Sequence, residues 1–319
     1  MSFDARPYLK EIARGRHAAR DLTREQAREV FDAMLAAEVD EVALGAILVA
    51  WRVKGESIDE LRGMLDAVAA HVRPMRLPAR RAMPVLVPTY NGARKMPNVV
   101  PLLVLLLARE GVPVLLHGAH QEPQRVGTFE VLAELGYRPA TTLEEAEVML
   151  EDQLVAPLPI ELLSADLARI LALRARTGVR NCAHTVAKLL LPQGTSPQAA
   201  CRLVAVTHPD FQKLMRDLLV AENGNAFLMR GLEGEAAVRL HSPQPIEQVA
   251  LDGGIVTHLM GDGEPELLLP ERDATATAQW TREVLEGRLA VPAALARQAA
   301  LIAGHCRNAL ARPALRLVK

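Results

Sequence analysis

Val85-Leu86-Val87-Pro88-Thr89-Tyr90-Asn91-Gly92-Ala93-Arg94-Lys95-Met96-Pro97-Asn98 reads as a short apolar strand, a turn built on Asn91-Gly92, and the entry to a helix over residues 99–109. A strand that feeds a Gly-containing loop and then a helix N-terminus is how α/β proteins build anion sites. Unpaired backbone N–H groups and the positive end of the helix dipole converge there. This loop adds two cations, Arg94 and Lys95. The reading turns on whether it holds a sugar phosphate for chemistry or only grips phosphate.

The rhythm continues downstream. Gly111 stops the helix, residues 112–117 form the next apolar strand, residues 128–135 a helix ended by Gly136, and Thr142 with Glu145 caps another helix. Residues 154–158 are a further candidate strand. Short apolar strands alternating with helices imply a mostly parallel sheet with helices on its faces. Residues 164–191 return to a long helical pattern, interrupted near Thr177-Gly178 and ended by Pro192. Residues 196–206 and 209–220 follow, bracketing a strand. Residues 226–229 and 236–240 are strand-like, then come acidic loops rich in Gly and Pro, and residues 280–286 and 292–311 are closing helices.

Upstream, residues 71–81 set Pro74 and Pro78 among four arginines, the composition of a linker. The residues before it are helical: Thr23 with Gln26 and Ser57 with Glu60 are capping-box patterns, each preceding an amphipathic run. Between them residues 42–50 are apolar almost all round, the pattern of a helix buried between neighbours and a plausible dimerisation surface.

At 319 residues and 50% hydrophobic composition the chain can bury a large core. Its net charge of -1 advertises no nucleic-acid partner, so any such partner needs a local basic patch. Cys182, Cys201 and Cys306 lie far apart, which argues against a disulfide framework and for a reduced, cytoplasmic setting. The charged start lacks the apolar region of a signal peptide, and the longest apolar run, residues 99–108, is far short of the ~20 residues of a membrane span.

The chain has no Walker A, H-E-x-x-H or G-x-S-x-G pattern, and one Gly after the first strand makes no dinucleotide fingerprint. His117 and His120 flank Gly118 at a strand end, where either a site or a hydrogen-bonded structural histidine can sit. Glu233 and Glu235, spaced by Gly234, and the acidic loop at residues 261–264 are candidates for Mg²⁺ or plain solvated turns. A basic series runs Arg169, Arg174, Arg176, Arg180 and Lys188, interleaved with Asn181, His184 and Thr185, with Arg202, Lys213 and Arg216 beyond it. It reads either as a solvated helix face or as a shared anion-binding surface, and Thr177-Gly178 is a candidate break in its register.

These residues resemble a known family. Residues 22–69, Leu116-His117-Gly118, residues 128–136 and residues 174–192 (RARTGVRNCAHTVAKLLLP) are similar to anthranilate phosphoribosyltransferases of glycosyltransferase family 3. The resemblance implies a small N-terminal helical domain (residues 1–75, completed by helices at about 165–195) beside a larger α/β domain (residues 76–319) of the phosphoribosyltransferase type. It also implies a homodimer through the helical domains. The departures bear on activity. The enzymes' G-T-G-G-D loop, which wraps phosphoribosyl pyrophosphate, is here Thr89-Tyr90-Asn91-Gly92; their K-H-G-N-R segment is Leu116-His117-Gly118-Ala119-His120; and their Asp-Glu pair for Mg²⁺ is replaced near Glu233 and Glu235. Arg174 matches the arginine that meets the aromatic acid, and Gly178-Val179-Arg180 is retained. The T-Y-N-G-A-R-K loop and the R-N-x-x-H-T-x-x-K-L-L segment resemble the YbiB-like branch of the family, which implies a dimeric nucleic-acid-binding protein without the tryptophan-pathway activity.

The expectation is a non-enzymatic, sequence-tolerant nucleic-acid (DNA)-binding protein, with no membrane partner and no cofactor. Its phosphate contacts are expected from a basic groove of Tyr90, Asn91, Gly92, Arg94, Lys95, Arg125, Arg174, Arg176, Arg180, Lys188 and Arg202. The alternative is a transferase using phosphoribosyl pyrophosphate and Mg²⁺, held by Glu233 and Glu235, with anthranilate or another acceptor. A structural dimer with a small-molecule regulatory pocket is a third reading, which leaves the basic series unexplained.

Overall fold

A computed structural model describes residues 3–15, 18–78, 82–119 and 124–311. Arg80, Arg81 and His120 of the sequence reading lie outside the described residues. The chain divides into two compact units, Met1–Pro74 with Ile160–Gly194, and Met75–Pro159 with Thr195–Lys319.

The first unit opens with α1 (Arg6–Ile12), α2 (Arg24–Leu35), α3 (Glu41–Lys54) and α4 (Ile58–Ala69). Both capping boxes form: Thr23 and Gln26 exchange side-chain and backbone bonds at the start of α2, as do Ser57 and Glu60 at the start of α4. Glu60 does more than cap. Fully buried, it also accepts from the Leu22 backbone (3.0 Å), Trp51 Nε1 (3.0 Å) and Lys54 Nζ (2.7 Å), joining α3 to α4 around one satisfied carboxylate. α3 is not buried all round as its composition predicts. Leu44, Ile47, Leu48 and Trp51 face inward, whereas Val42, Val49 and Val53 are 83%, 45% and 67% exposed, an apolar stripe on the opposite side.

The chain enters the second unit with β1 (Val85–Thr89), α5 (Val100–Arg109), β2 (Val114–Gly118), α6 (Thr128–Glu134), α7 (Leu143–Asp152) and β3 (Val155–Pro159). It returns to the first unit for α8 (Ile160–Leu163), α9 (Ala165–Ala172), α10 (Arg174–Thr177) and α11 (Ala183–Ala187). The second unit is completed by β4 (Cys201–Ala205), α12 (Pro209–Ala221), β5 (Ala226–Met229), β6 (Ile246–Val249), β7 (Ile255–His258), α13 (Ala274–Leu285) and α14 (Ala293–Ala311). The long helical pattern after Ser164 is thus three short helices. Gly178 takes a left-handed φ of 71° and its N–H closes on the Arg174 carbonyl, ending α10.

One sheet of seven strands runs β3-β2-β1-β4-β5-β6-β7. The first five are parallel and β6 and β7 are antiparallel additions, so the fold is a small helical unit and a larger α/β unit with a mostly parallel sheet. Residues of α5, α13 and α14 pack with one face of the strands in a continuous apolar core. Two strand readings differ from the structure. β4 lies within residues 196–206 and not after them. Residues 236–240 are buried but make no strand: Leu232 N–H bonds the Ala237 carbonyl and Val238 N–H bonds the Gln298 side chain, which spends those groups on a turn and a helix. The antiparallel pair comes instead from the acidic, Gly-rich segment that follows.

Candidate functional site

β1 lies between β2 and β4, so the order of the parallel strands reverses at its flank. In open α/β sheets ligands sit at the carboxyl ends of strands at such a switch point. The loop of residues 90–98 is therefore where an anion site belongs. Gly118, ending β2, is required by its neighbour: a Cβ there would sit 2.2 Å from the Thr89 carbonyl oxygen. Asn98 fastens the far end of the loop, accepting from Val100 N–H (3.2 Å) and donating to the Val126 carbonyl (3.1 Å) and Thr128 Oγ1 (3.2 Å).

Every backbone N–H from residue 91 through 96 is bonded within the chain. Asn91 and Gly92 donate to Glu235 Oε1 at 2.7 and 2.9 Å, and Ala93 donates to the Val126 carbonyl at 3.0 Å. Arg94, Lys95 and Met96 all donate to Glu233 Oε1, at 3.1, 2.6 and 3.1 Å. Two carboxylates thus occupy the positions at which an anionic ligand would meet this loop. A tight turn delivers them: Glu235 N–H bonds the Leu232 carbonyl, and the central residues Glu233 and Gly234 both take positive φ, 53° and 87°. Gly234 also abuts the loop, since a Cβ there would lie 2.3 Å from Asn91 Nδ2. Arg125, half-buried, clamps the same loop by donating to the carbonyls of Asn91 and Gly92 (3.2 Å each), with Glu233 Oε2 4.0 Å away.

This geometry counts against the metal reading of Glu233 and Glu235. Their Oε1 atoms face the positive ends of backbone N–H dipoles, Glu235 Oε2 is sealed from the waters that Mg²⁺ keeps, and Glu233 Oε2 has the Arg125 guanidinium 4.0 Å away. The two carboxylates do not fit the ion. Among the described residues no group of three or more His, Cys, Asp or Glu is placed to hold a metal.

The remaining predicted residues separate by burial. Arg94 and Lys95 point into solvent. Tyr90 and Asn91 are buried, and the Tyr90 hydroxyl lies 2.8 Å from His117 Nδ1, so Tyr90 is no surface for base stacking. His117 is fully buried, and burial pushes its pKa down to about 3. Arg202 is a correction: it sits on central strand β4, 5% exposed, with burial lowering its pKa, and a Cβ on Gly224 would meet its guanidinium at 2.9 Å. It belongs to the core and not to a surface groove.

In the helical unit Arg176 is exposed and pairs with Glu41 (3.0 Å), while Arg174, Arg180 and Lys188 are half-buried. These three surround His184, whose pKa falls to about 3 through burial first and then through Arg180, Arg174 and Lys188. Asn181 holds the ring, with Oδ1 3.1 Å from Nδ1. Arg169 is spent elsewhere, donating to the Met34 and Leu35 carbonyls at the C-terminus of α2 (2.7 and 2.9 Å). Sequence reasoning missed the loop-filling role of Glu233 and Glu235, although Gly234 between them is a signal of a turn with positive φ.

Residues 6–72 match the helical bundle domain of the glycosyl transferase family. Over 298 residues the chain is 37% identical to the uncharacterized protein YbiB of Escherichia coli (strain K12), covering 93% of this chain and 92% of that one. It is 30% identical over 293 residues to the anthranilate phosphoribosyltransferase of Methylobacterium sp. (strain 4-46), covering 88% and 82%. Among solved structures, anthranilate phosphoribosyltransferase (TrpD) from Thermus thermophilus superposes with a TM-score of 0.75 at 25% identity, over 98% of this chain and 90% of that one. The Saccharomyces cerevisiae enzyme in complex with PRPP and Mg shares the fold, with a TM-score of 0.74 at 13% identity over 96% and 90%. With these matches spanning both units, the chain belongs to the anthranilate phosphoribosyltransferase-like proteins of glycosyltransferase family 3.

Proposed function

We propose that the protein binds nucleic acid through its phosphates and does not transfer phosphoribosyl groups. The observation that carries this reading is the pair of internal carboxylates. With Glu233 and Glu235 bonded to the loop amides, residues 91–96 offer a polyphosphate no free backbone donor, and two negative charges repel it. What the loop presents outward is the side chains of Arg94 and Lys95. The helical unit adds its own cations, Arg174, Arg180 and Lys188. Contacts of this kind go to the backbone and carry no sequence information. The protein is proposed to work in the reducing cytoplasm, since its three cysteines are free and buried, and as a homodimer through the exposed Val42, Val49 and Val53 stripe of α3.

The test is anisotropy titration with a labelled oligonucleotide across salt concentrations. Binding that weakens steeply with salt and barely varies with sequence is expected; no binding at low salt overturns the reading. One observation favours a transferase instead: the chain shares 30% identity with an anthranilate phosphoribosyltransferase over most of its length. Calorimetry with phosphoribosyl pyrophosphate separates the two. Micromolar, Mg²⁺-dependent heat supports the transferase; its absence together with oligonucleotide binding supports the binder.

A further inference from the structure

Strand β7 closes the sheet on one side and nothing among the described residues pairs with its outer edge. The register sets Gln248 opposite Val256 and Ile246 opposite His258, and Ala250 N–H bonds the Gly254 carbonyl at 2.8 Å. Bonded pairs alternate in an antiparallel ladder, so Val256 and His258 spend their backbone groups on β6. Ile255 and Thr257 therefore turn theirs outward. Each face of the edge exposes an apolar side chain: Ile255 is 43% exposed on one and Val256 52% on the other, and Leu259 continues the strand direction at 75%.

Edges like this are ordinarily blunted by lysine, proline or a bulge. Here residues 240–271 contain no Lys or Arg, and no proline falls within β7. The segment carries acids instead, and Asp252, Asp262 and Glu266, which flank β7 in sequence, are exposed. The strand is also held still. His258 Nε2 donates to Gln248 Oε1 (3.0 Å), Gln248 Nε2 to His305 Nδ1 (2.9 Å), and His305 Nε2 to Asn225 Oδ1 (2.9 Å), a side-chain chain that ties the edge through β6 to α14 and the start of β5. A pre-ordered edge lowers the entropy cost of adding a strand.

We infer that β7 is a docking edge for an extended, basic segment of a partner protein. The segment adds as a further strand, bonding the outward N–H and C=O groups of Ile255 and Thr257. Its apolar side chains pack on Ile255 and Val256, and its flanking Lys or Arg side chains meet Asp252, Asp262 and Glu266. The charge complementarity sets the occupant as basic, which is opposite to the anionic ligand of the phosphate loop.

The probe is a fluorescent peptide alternating Lys and Val, titrated into the full chain, with amide exchange followed at β7. Saturable binding is expected, with slowed exchange at Ile255 and Thr257. Methylating alternate peptide nitrogens, or Thr257→Pro in the protein, is expected to weaken binding about tenfold or more, because each removes ladder bonds. The proline replaces an outward N–H and leaves the β6 pairing intact, so the melting temperature checks the fold. The double variant Asp262→Lys, Glu266→Lys leaves the backbone alone and is expected to weaken binding several-fold. Equal affinity for a Glu–Val peptide, or unchanged exchange at Ile255 and Thr257, overturns the inference. So does concentration-dependent protection of the Ile255 amide in the chain alone that Thr257→Pro abolishes, since the occupant is then a second copy.

Discussion

At the residue scale the loop after β1 is governed by Glu235. It is fully buried, and its Oε1 is the acceptor for Asn91 and Gly92. Glu235→Ala leaves two buried donors without partners, at ~1–3 kcal/mol each, and is expected to lower the unfolding free energy by about 2–6 kcal/mol in urea titration. Gly234→Ala acts on the same turn differently: the new Cβ meets Asn91 Nδ2 and the backbone must keep a φ of 87°. A loss of ~1–3 kcal/mol is expected, with Asn91 amide exchange accelerated; a wild-type midpoint for both variants contradicts this account of the loop. His117 supplies a pH signature. Its pKa is pushed down to about 3, so the folded state holds the neutral ring while the unfolded chain takes up a proton below about 6.5. Its contribution is present above about pH 6.5 and is lost as pH falls from there toward 3, and its ring resonances are expected not to titrate between pH 5 and 8. The sequence marked Asn91-Gly92 as a turn at an anion site, because local composition reports turns. It could not report which anion fills the site, because Glu233 and Glu235 come from more than a hundred residues away and only the folded chain brings them there.

At the element scale, helix packing in the first unit depends on a glycine and a histidine. Gly63 on α4 lies so close to α2 that a Cβ would sit 2.2 Å from the Arg24 carbonyl oxygen. Gly63→Ala gains helix propensity of ~1 kcal/mol but must part the two helices, so a net destabilisation of about 1–3 kcal/mol is expected by thermal unfolding. His71 bridges Asp166 (2.8 Å) and Asp32 (3.1 Å), tying α9 to α2. Burial lowers its pKa, but the bonds to Asp166 and then Asp32 outweigh burial and the net shift is upward. The sign is opposite to that of His117. The stabilisation is complete below the unfolded value of about 6.5 and is lost as pH rises through the raised folded value. His71→Ala is expected to cost ~1 kcal/mol at pH 6, discounted because both carboxylates are about half exposed, and much less at pH 9. A cost that grows with pH contradicts the bridge. Capping boxes announced α2 and α4, and short unbroken apolar runs announced β1, α5 and β2, which are buried almost throughout. The hairpin of β6 and β7 escaped because β7 is exposed on both faces and has no polar–apolar alternation, leaving only Asp252-Gly253-Gly254 between two short runs as its signal.

At the scale of the whole molecule, family membership rests on similarity that runs over both units, whereas the proposed binding rests on a few loop side chains. The exposed stripe on α3 carries one consequence: Val49→Asp and Val53→Asp place charge where apolar side chains are 45% and 67% exposed, and sedimentation is expected to show a monomer with an unchanged helical spectrum. The nucleic-acid reading carries the other. Arg94 and Lys95 are exposed, and their backbone positions are fixed by Glu233, so replacing their side chains leaves the loop bonds in place. Arg94→Gln with Lys95→Gln is therefore expected to fold with an unchanged melting temperature. Each contacted phosphate contributes about -0.7 to the slope of log affinity against log salt for a single strand, so the double variant should flatten that slope by about 1.4. The loss should be equal for oligonucleotides of unrelated sequence, because phosphate contacts read no bases. A slope identical to that of the unaltered protein removes these two side chains from the interface and leaves the cations of the helical unit, Arg174, Arg180 and Lys188, as the next to be replaced in the same measurement.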